Sequence, residues 1–333
     1  MKHSNIAIFI PHLGCPHNCS FCDQNSISAA VDLPNGDEVV RICEDASIHL
    51  EDRVGATEIA FFGGSFTAID QNYMTELLDA ASYCVRRYGF EGIRCSTRPD
   101  AISAENVDLL KGYGVTSIEL GCQSMDDNVL SLNSRGHTAQ DVVLASKIIK
   151  KSGISLGHQM MVGLYGDSEE SVFDTAQKLL QLEPDTMRIY PTVVIKGTEL
   201  ANLWESGKYI PLTLDRAVDI CSKLLLLFDG KTKVIRLGLH ASQSLERDIL
   251  AGVYHPAFRE LCESRIMLDR AIELLDGFGK SGLECICVNP RDVSKMVGQK
   301  KGNLEKLGEM GYDVRVVGDE DVEIGKVQLK NVE

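Results

Sequence analysis

Short runs rich in β-branched and aromatic residues alternate with amphipathic stretches along most of the chain. Ile6–Ile10, Glu58–Phe62, Gly92–Ser96, Ser117–Gly121, Ser155–Val162 and Met187–Val194 read as strands, and Lys233–Leu239 as a further run. Between them, Tyr73–Tyr88, Ala104–Lys111, Ala139–Lys151 and Ser168–Leu182 read as helices. This alternation predicts parallel strands joined by crossover helices. Ser103 and Thr138 each place a side-chain acceptor just before a helix, with an acid in its first turn. The strand candidates end in polar or glycine-rich turns, GGSFT, STRPD, GCQSMD and VGLYGD, so chemistry is expected on the face formed by the strand C-termini.

The pattern changes near Leu283. LECICV reads as a strand, PRDVSKMV and NLEKLGEM as two short helices, and YDVRVV as another strand. The expected organisation is a core over 1–240, a helical extension over 241–282 and a small α/β module over 283–333.

Composition narrows the class. With 333 residues, 44% hydrophobic and 25% charged, the chain suits a soluble enzyme. A net charge of −14 argues against general affinity for polyanions but leaves room for a local basic site. No apolar run reaches the roughly 18 residues of a membrane span. The start, MKHSNIAIFIPH, lacks a signal-peptide core, so a cytoplasmic chain without a membrane partner is expected. Eleven cysteines then read as thiols or metal ligands rather than disulfides.

Cys15, Cys19 and Cys22 fall within eight residues of a polar loop that also holds Pro16, His17 and Asn18. Such surroundings do not suit three small buried hydrophobes. A structural zinc site takes four ligands, usually in paired CxxC knuckles. No second pair follows, although His17 or a distant residue could serve. An iron–sulfur cluster uses thiolates throughout, and three of them on four irons leave one iron open to a small molecule.

CxxxCxxC after the first strand, followed by Gly63-Gly64 after the second, resembles the radical S-adenosylmethionine (SAM) superfamily. IELGCQSMDDNVLSLNSRGHT and MMVGLYGD resemble oxygen-independent coproporphyrinogen III oxidase and its relatives. STRPD and PDTMRIYPTVVIKGTELANLWESGKY resemble the radical-SAM part of the tRNA-modifying Elongator catalytic subunit. The resemblance implies a partial (β/α)6 barrel and a [4Fe–4S] cluster on Cys15, Cys19 and Cys22. It implies SAM on the open iron, cleaved reductively to a 5′-deoxyadenosyl radical, with an electron donor such as flavodoxin or ferredoxin. It places SAM contacts at Gly63, Gly64, Ser65, Ser96, Gln123, Arg135 and Gln159. Ser96 stands where related enzymes often carry Glu, and Glu119 is either structural or a substitute for it. Tyr165 replaces a usual turn proline. An acetyltransferase domain of the Elongator kind is not expected in the length that remains.

The tail VNPRDVSKMVGQKKGNLEKLGEMGYDVRVV resembles a KH RNA-binding module, whose GXXG loop clamps a nucleic-acid backbone. Lys301 stands at the second glycine position, with Gly302 one place later. Five basic residues face two acidic ones between Arg291 and Lys306, and Gly298, Lys300, Lys301 and Asn303 are the expected RNA contacts. The combined expectation is a radical-SAM enzyme modifying an RNA base, in tRNA. The alternatives are a coproporphyrinogen-oxidase-like enzyme on a tetrapyrrole and an RNA-binding protein with a structural cluster. His12, His17, His158 and His255 read first as local hydrogen-bonding groups, Cys285 and Cys287 as core residues sharing a strand face, and Cys122 as a candidate hydrogen donor.

Overall fold

The computed structural model describes residues 3–10, 15, 18–23, 33–240, 243–278 and 283–330. His12 and His17 lie outside these. Seven parallel strands form the main sheet: β1 (Ser4–Ile10), β2 (Thr57–Gly63), β3 (Gly92–Thr97), β4 (Val115–Gln123), β5 (Ser155–Val162), β6 (Thr186–Pro191) and β8 (Lys233–Leu237), in that order across the sheet. The run at Lys233 therefore adds a seventh strand, beside β6. β6 stops at Pro191, which has no N–H for a ladder. The chain resumes as β7 (Val193–Ile195), which pairs antiparallel with β9 (Ile249–Gly252). What was one run in sequence is thus two strands in different sheets.

Helices Gln71–Tyr88, Ala104–Gly112, Ala139–Ser152 and Glu169–Gln181 supply the crossovers. Ser103, Thr138 and Ser168 close reciprocal capping boxes with Asn106, Asp141 and Ser171. These helices bury Leu77, Leu110, Ile149 and Leu179 against the outer sheet face, where Ile59, Phe61, Ile93, Ile118 and Leu156 are also fully buried. The other face carries the alternate residues. Its curl is visible in one contact: the Arg188 guanidinium on β6 lies 5.1 Å from the centroid of the Phe62 ring on β2, four strands away in the sheet. A flat sheet would hold those side chains far apart. The architecture is a partial α/β barrel with a polar interior.

Two compact units are distinct: residues 1–212 with 228–253, and residues 213–227 with 254–333. In the second, β10 (Leu283–Val288) lies between β11 (Asp313–Gly318), parallel to it, and β12 (Val327–Lys330), antiparallel. Helix Phe258–Phe278, placed with the core's extension on sequence grounds, shares one apolar core with this sheet. Met267, Leu268, Ala271 and Leu275 pack with Ile286, Val288, Met296 and Leu307. Among the described residues no helix is long and apolar enough to cross a membrane.

Candidate active site

The strand C-termini meet at a rim built by close backbone approach. Gly63 has φ +108°, and a Cβ there would lie 2.6 Å from the carbonyl oxygen of Ile10. Only glycine fits that contact. The next amide, Gly64 N–H, donates to the same carbonyl at 2.9 Å. Together they fold the end of β2 onto the end of β1, from which the cysteine loop departs. Ser65 is buried and committed internally, accepting from Arg98 N–H at 3.1 Å and sharing a hydrogen bond with Thr97 Oγ1 at 2.8 Å.

The cysteine loop is anchored from two sides. Ser20 N–H donates to Asn133 O at 3.1 Å and Ser20 Oγ to Asn133 Oδ1 at 2.8 Å, while Leu200 N–H donates to Ser20 O at 2.7 Å. Asn133 is fully buried and spends its amide on Val129 O and Tyr165 O. Sequence reasoning missed this residue, because nothing local marks an asparagine whose partners lie elsewhere in the chain. Arg135 ties the loop to β4: Nη1 stands 3.2 Å from Cys19 Sγ and Nη2 donates to Gly121 O. Its buried Nε has no partner.

β4 ends irregularly. Its register with β5 slips between Gly121 and Gln123, and Gln123 adopts φ +64°, left-handed backbone that non-glycine residues adopt at a cost. Gln159 Nε2 donates to Gln123 Oε1 at 3.2 Å, so two of the expected SAM contacts are joined directly. The slip leaves Cys122 fully buried with its thiol on Leu120 O, and burial pushes that thiol up to about 12. Its carbonyl takes a hydrogen bond from the His137 ring at 3.1 Å.

Below the rim an ion ladder crosses the inner face. Glu58 sits 2.8 Å from His3 and 2.6 Å from Arg94, Arg94 reaches Glu119 at 2.7 Å, and Glu119 also holds Arg188. Ser96 Oγ lies 3.5 Å from Glu119. Glu119 is therefore committed to two arginines and is no free replacement for the acid that Ser96 lacks. Arg188 was visible in principle: alternation in Thr186–Pro191 puts Thr186, Arg188 and Tyr190 on one face and the buried Met187 and Ile189 on the other. His158 is buried on the outer face. Because Ser146 Oγ donates to Val142 O, it accepts from His158 Nε2 at 2.9 Å. His255 Nδ1 accepts from Ala257 N–H, a local turn contact.

In the second unit, Gly298 (φ +77°) opens a turn in which Lys300 and Lys301 are both left-handed and both exposed. Asn303 corrects the expectation made for it. It is buried, with its amide near Ser264 O, Ser264 Oγ, Lys295 O and Met296 O at 3.0–3.1 Å, so it locks the turn from inside rather than facing a ligand. Cys285 and Cys287 do share a face, with sulfurs 3.9 Å apart.

Residues 9–179, half of the chain, match the family described as the Radical SAM superfamily. The chain belongs to the radical SAM superfamily. Residues 184–267 match the Radical_SAM C-terminal domain. Elongator complex protein 3 of Homo sapiens is 31% identical over 245 residues, 67% of this chain and 44% of that protein. A tRNA uridine(34) acetyltransferase of Methanocaldococcus infernus is 28% identical over 241 residues, 71% of this chain and 42% of that protein. The chain thus spans about half the length of these curated relatives. The solved structure of archaeal Methanocaldococcus infernus Elp3 with an N-terminal deletion has TM-score 0.65 and 22% identity, over 79% of this chain and 62% of that one, which supports the fold.

Radical SAM enzymes use a [4Fe–4S] cluster and SAM, and the residues present fit both. The donor set is all thiol. Cys22 is pushed up to about 12 by burial and by the neighbouring Cys19 and Cys15, so its thiolate needs a compensating cation, as an iron core provides. Among the described residues no three His, Cys, Asp or Glu side chains close around a single ion. A four-iron cluster takes each thiolate on a separate iron and does not require that. The glycine turn at 63–64, the unpartnered Nε of Arg135 and the Gln123–Gln159 pair offer polar groups beside the cysteine loop.

Proposed function

We propose that this enzyme modifies a base in RNA, with tRNA as the substrate. Cys15, Cys19 and Cys22 hold the cluster. Gly63 and Gly64 through their backbone, and Gln123, Arg135 and Gln159 through their side chains, position SAM; Ser65 and Ser96 shape the pocket from behind. Bound there, cluster and SAM supply a carbon-centred radical when an electron arrives from a flavodoxin- or ferredoxin-type donor. This chain's own residues orient SAM, exclude water and keep the barrel interior polar. Lys300 and Lys301 grip phosphates of the RNA backbone.

The observation that carries the reading is Arg135. One buried guanidinium spans the Cys19 thiol and the β4 carbonyl of Gly121 and keeps an unused donor. A carboxylate such as that of SAM is the natural partner of that donor. The relatedness to tRNA-acting proteins supports the substrate class. The test is anaerobic reconstitution with reductant, SAM and tRNA from a strain lacking the gene. We expect 5′-deoxyadenosine release that tRNA stimulates, and a new mass on one nucleoside. Deoxyadenosine release indifferent to tRNA, with no nucleoside changed, would overturn the substrate; no release at all would overturn the chemistry.

A further inference from the structure

The inner face of the barrel carries a feature that the SAM contacts do not use. In the sheet register Gly121 on β4 pairs with Gln159 on β5, Gln159 with Arg188 on β6, and Arg188 with Arg236 on β8. These four form one row across the sheet. Strands lie about 4.8 Å apart, so Arg188 stands about 10 Å from Gly121, whose carbonyl Arg135 grasps. Gln159 stands between them in the row, its side chain turned to Gln123. Deeper in the barrel the space is filled by the Glu58, Arg94 and Glu119 ladder, all nearly fully buried.

Arg188 ends this ladder as a flat plate. Its Nε and Nη2 face the two Glu119 oxygens at 2.7 and 2.8 Å, and Nη1 donates to Tyr190 Oη at 3.3 Å. The Nε–H lies close to its oxygen but off hydrogen-bond alignment. A guanidinium has five N–H groups in one plane. Three face these partners, which leaves one donor on each terminal nitrogen. The plate rests on Phe62, and Phe9 flanks Phe62 with ring centroids 6.4 Å apart and 39% of its own surface open. The Arg188 side chain is 12% exposed.

The chemistry of this seat is selective. Glu58 and Glu119 together match the charges of Arg94 and Arg188, so the plate offers hydrogen-bond donors without a large free positive charge. A phosphate, with up to two negative charges, would go unmatched here; a neutral ring bearing carbonyl oxygens would not. The exposed aromatic wall suits a stacked base. Resting on the RNA reading above, we propose that Arg188, supported by Phe62 and Tyr190, seats the keto edge of the target base and so sets which base is modified.

The experiment uses tRNA transcripts in which uridine is replaced by 4-thiouridine, irradiated with the full-length reconstituted protein, with cross-links mapped by mass spectrometry. We expect a cross-linked peptide that contains Phe62 or Tyr190, alongside cross-links at the 298–303 turn. Arg188→Gln should cut the barrel cross-link about tenfold, as removal of charge-assisted donors implies, and leave the turn cross-link unchanged. Arg188→Lys should retain part of it. Because Arg188→Gln also leaves buried Glu119 with Arg94 alone and could disturb folding, Phe62→Leu, which keeps every ion pair, is the second variant and should weaken the same cross-link severalfold. Cross-links confined to the turn, or an Arg188→Gln and Phe62→Leu pattern equal to wild type, would overturn this inference and leave the RNA reading standing. No cross-link anywhere, with no tRNA-dependent product, would overturn both.

Discussion

At the scale of single residues, burial decides what each group can do. Arg135 has an unused donor and a thiol neighbour, so Arg135→Ala should weaken SAM binding about ten- to hundredfold, the worth of about 1.5–3 kcal/mol for a charge-assisted hydrogen bond. Equilibrium dialysis with labelled SAM measures this, and unchanged affinity would remove Arg135 from the site. Two buried histidines set a pH dependence. Burial is the first cause in both: it holds His137 down at about 4 and His158 at about 3, against an ordinary 6.5. A histidine that stays neutral in the fold and protonates when unfolded binds fewer protons in the native state. Stability from each is therefore fully present above pH 6.5 and is lost as pH falls from there toward the folded value, by at most about 1.4 kcal/mol per unit. The urea midpoint should drop between pH 7 and pH 5, and His158→Gln, which can still donate to Ser146, should flatten that slope. An equally steep slope in the variant would mean that His158 is protonated in the fold.

Elements depend on a few locks with partners far away in sequence. Asn133 holds the cysteine loop through Ser20 and its own loop through Val129 and Tyr165. Asn133→Ala leaves several buried polar atoms unpaired and should cost about 2–3 kcal/mol. Iron retained after desalting should fall with it. A variant that keeps both its urea midpoint and its iron would show the loop to be held otherwise. The 298–303 turn gives the opposite case. Lys301 sits at φ +64°, which costs an L-residue about 1–2 kcal/mol, while glycine's extra freedom in the unfolded chain costs about 0.5–1 kcal/mol. Lys301→Gly should thus be neutral to about 1 kcal/mol stabilising by urea unfolding. A clear loss of stability would mean that the lysine makes an interaction that outweighs its strain.

For the molecule as a whole, charge is the governing quantity. A chain of net −14 repels a polyanion on average, so an RNA substrate of the kind proposed would have to be held locally. Lys300 and Lys301 are exposed and adjacent, and with Asn303 turned inward they are what the turn offers to phosphate. Changing both to Glu should weaken tRNA binding and lower the slope of log affinity against log salt by about 1.5, since each phosphate a lysine neutralises contributes about 0.7–0.9 to that slope. Filter binding at several salt concentrations reads both. Equal affinity and slope would make the turn an ordinary solvated loop.

Much of this organisation is carried by local pattern. Strand–helix alternation, the capping residues Ser103 and Thr138, the cysteine spacing and the glycine pair at 63–64 each express a short-range constraint: a periodicity, a hydrogen bond three residues away, a backbone that tolerates no Cβ. Such constraints can be read one after another along the chain, and they specified parallel strands joined by crossover helices; the partial barrel of the radical SAM kind was what the resemblance of the motifs implied. The Glu58–Arg94–Glu119–Arg188 ladder, the Asn133 anchor and the Arg188–Phe62 contact could not be read that way. Each joins residues tens of positions apart, up to 126 between Phe62 and Arg188. Sheet register brings Glu58, Arg94 and Glu119 together on neighbouring strands, the curl of the sheet brings Arg188 to Glu119 and Phe62 across intervening strands, and the Asn133 anchor forms where two loops meet at the rim. The same holds for Asn303 and for helix Phe258–Phe278, whose burial depends on apolar partners that the fold, not the neighbouring sequence, supplies. Local chemistry determined which elements form and what the cysteine loop can bind. Tertiary packing decided which polar side chains are consumed in holding the barrel together and which are left facing its interior.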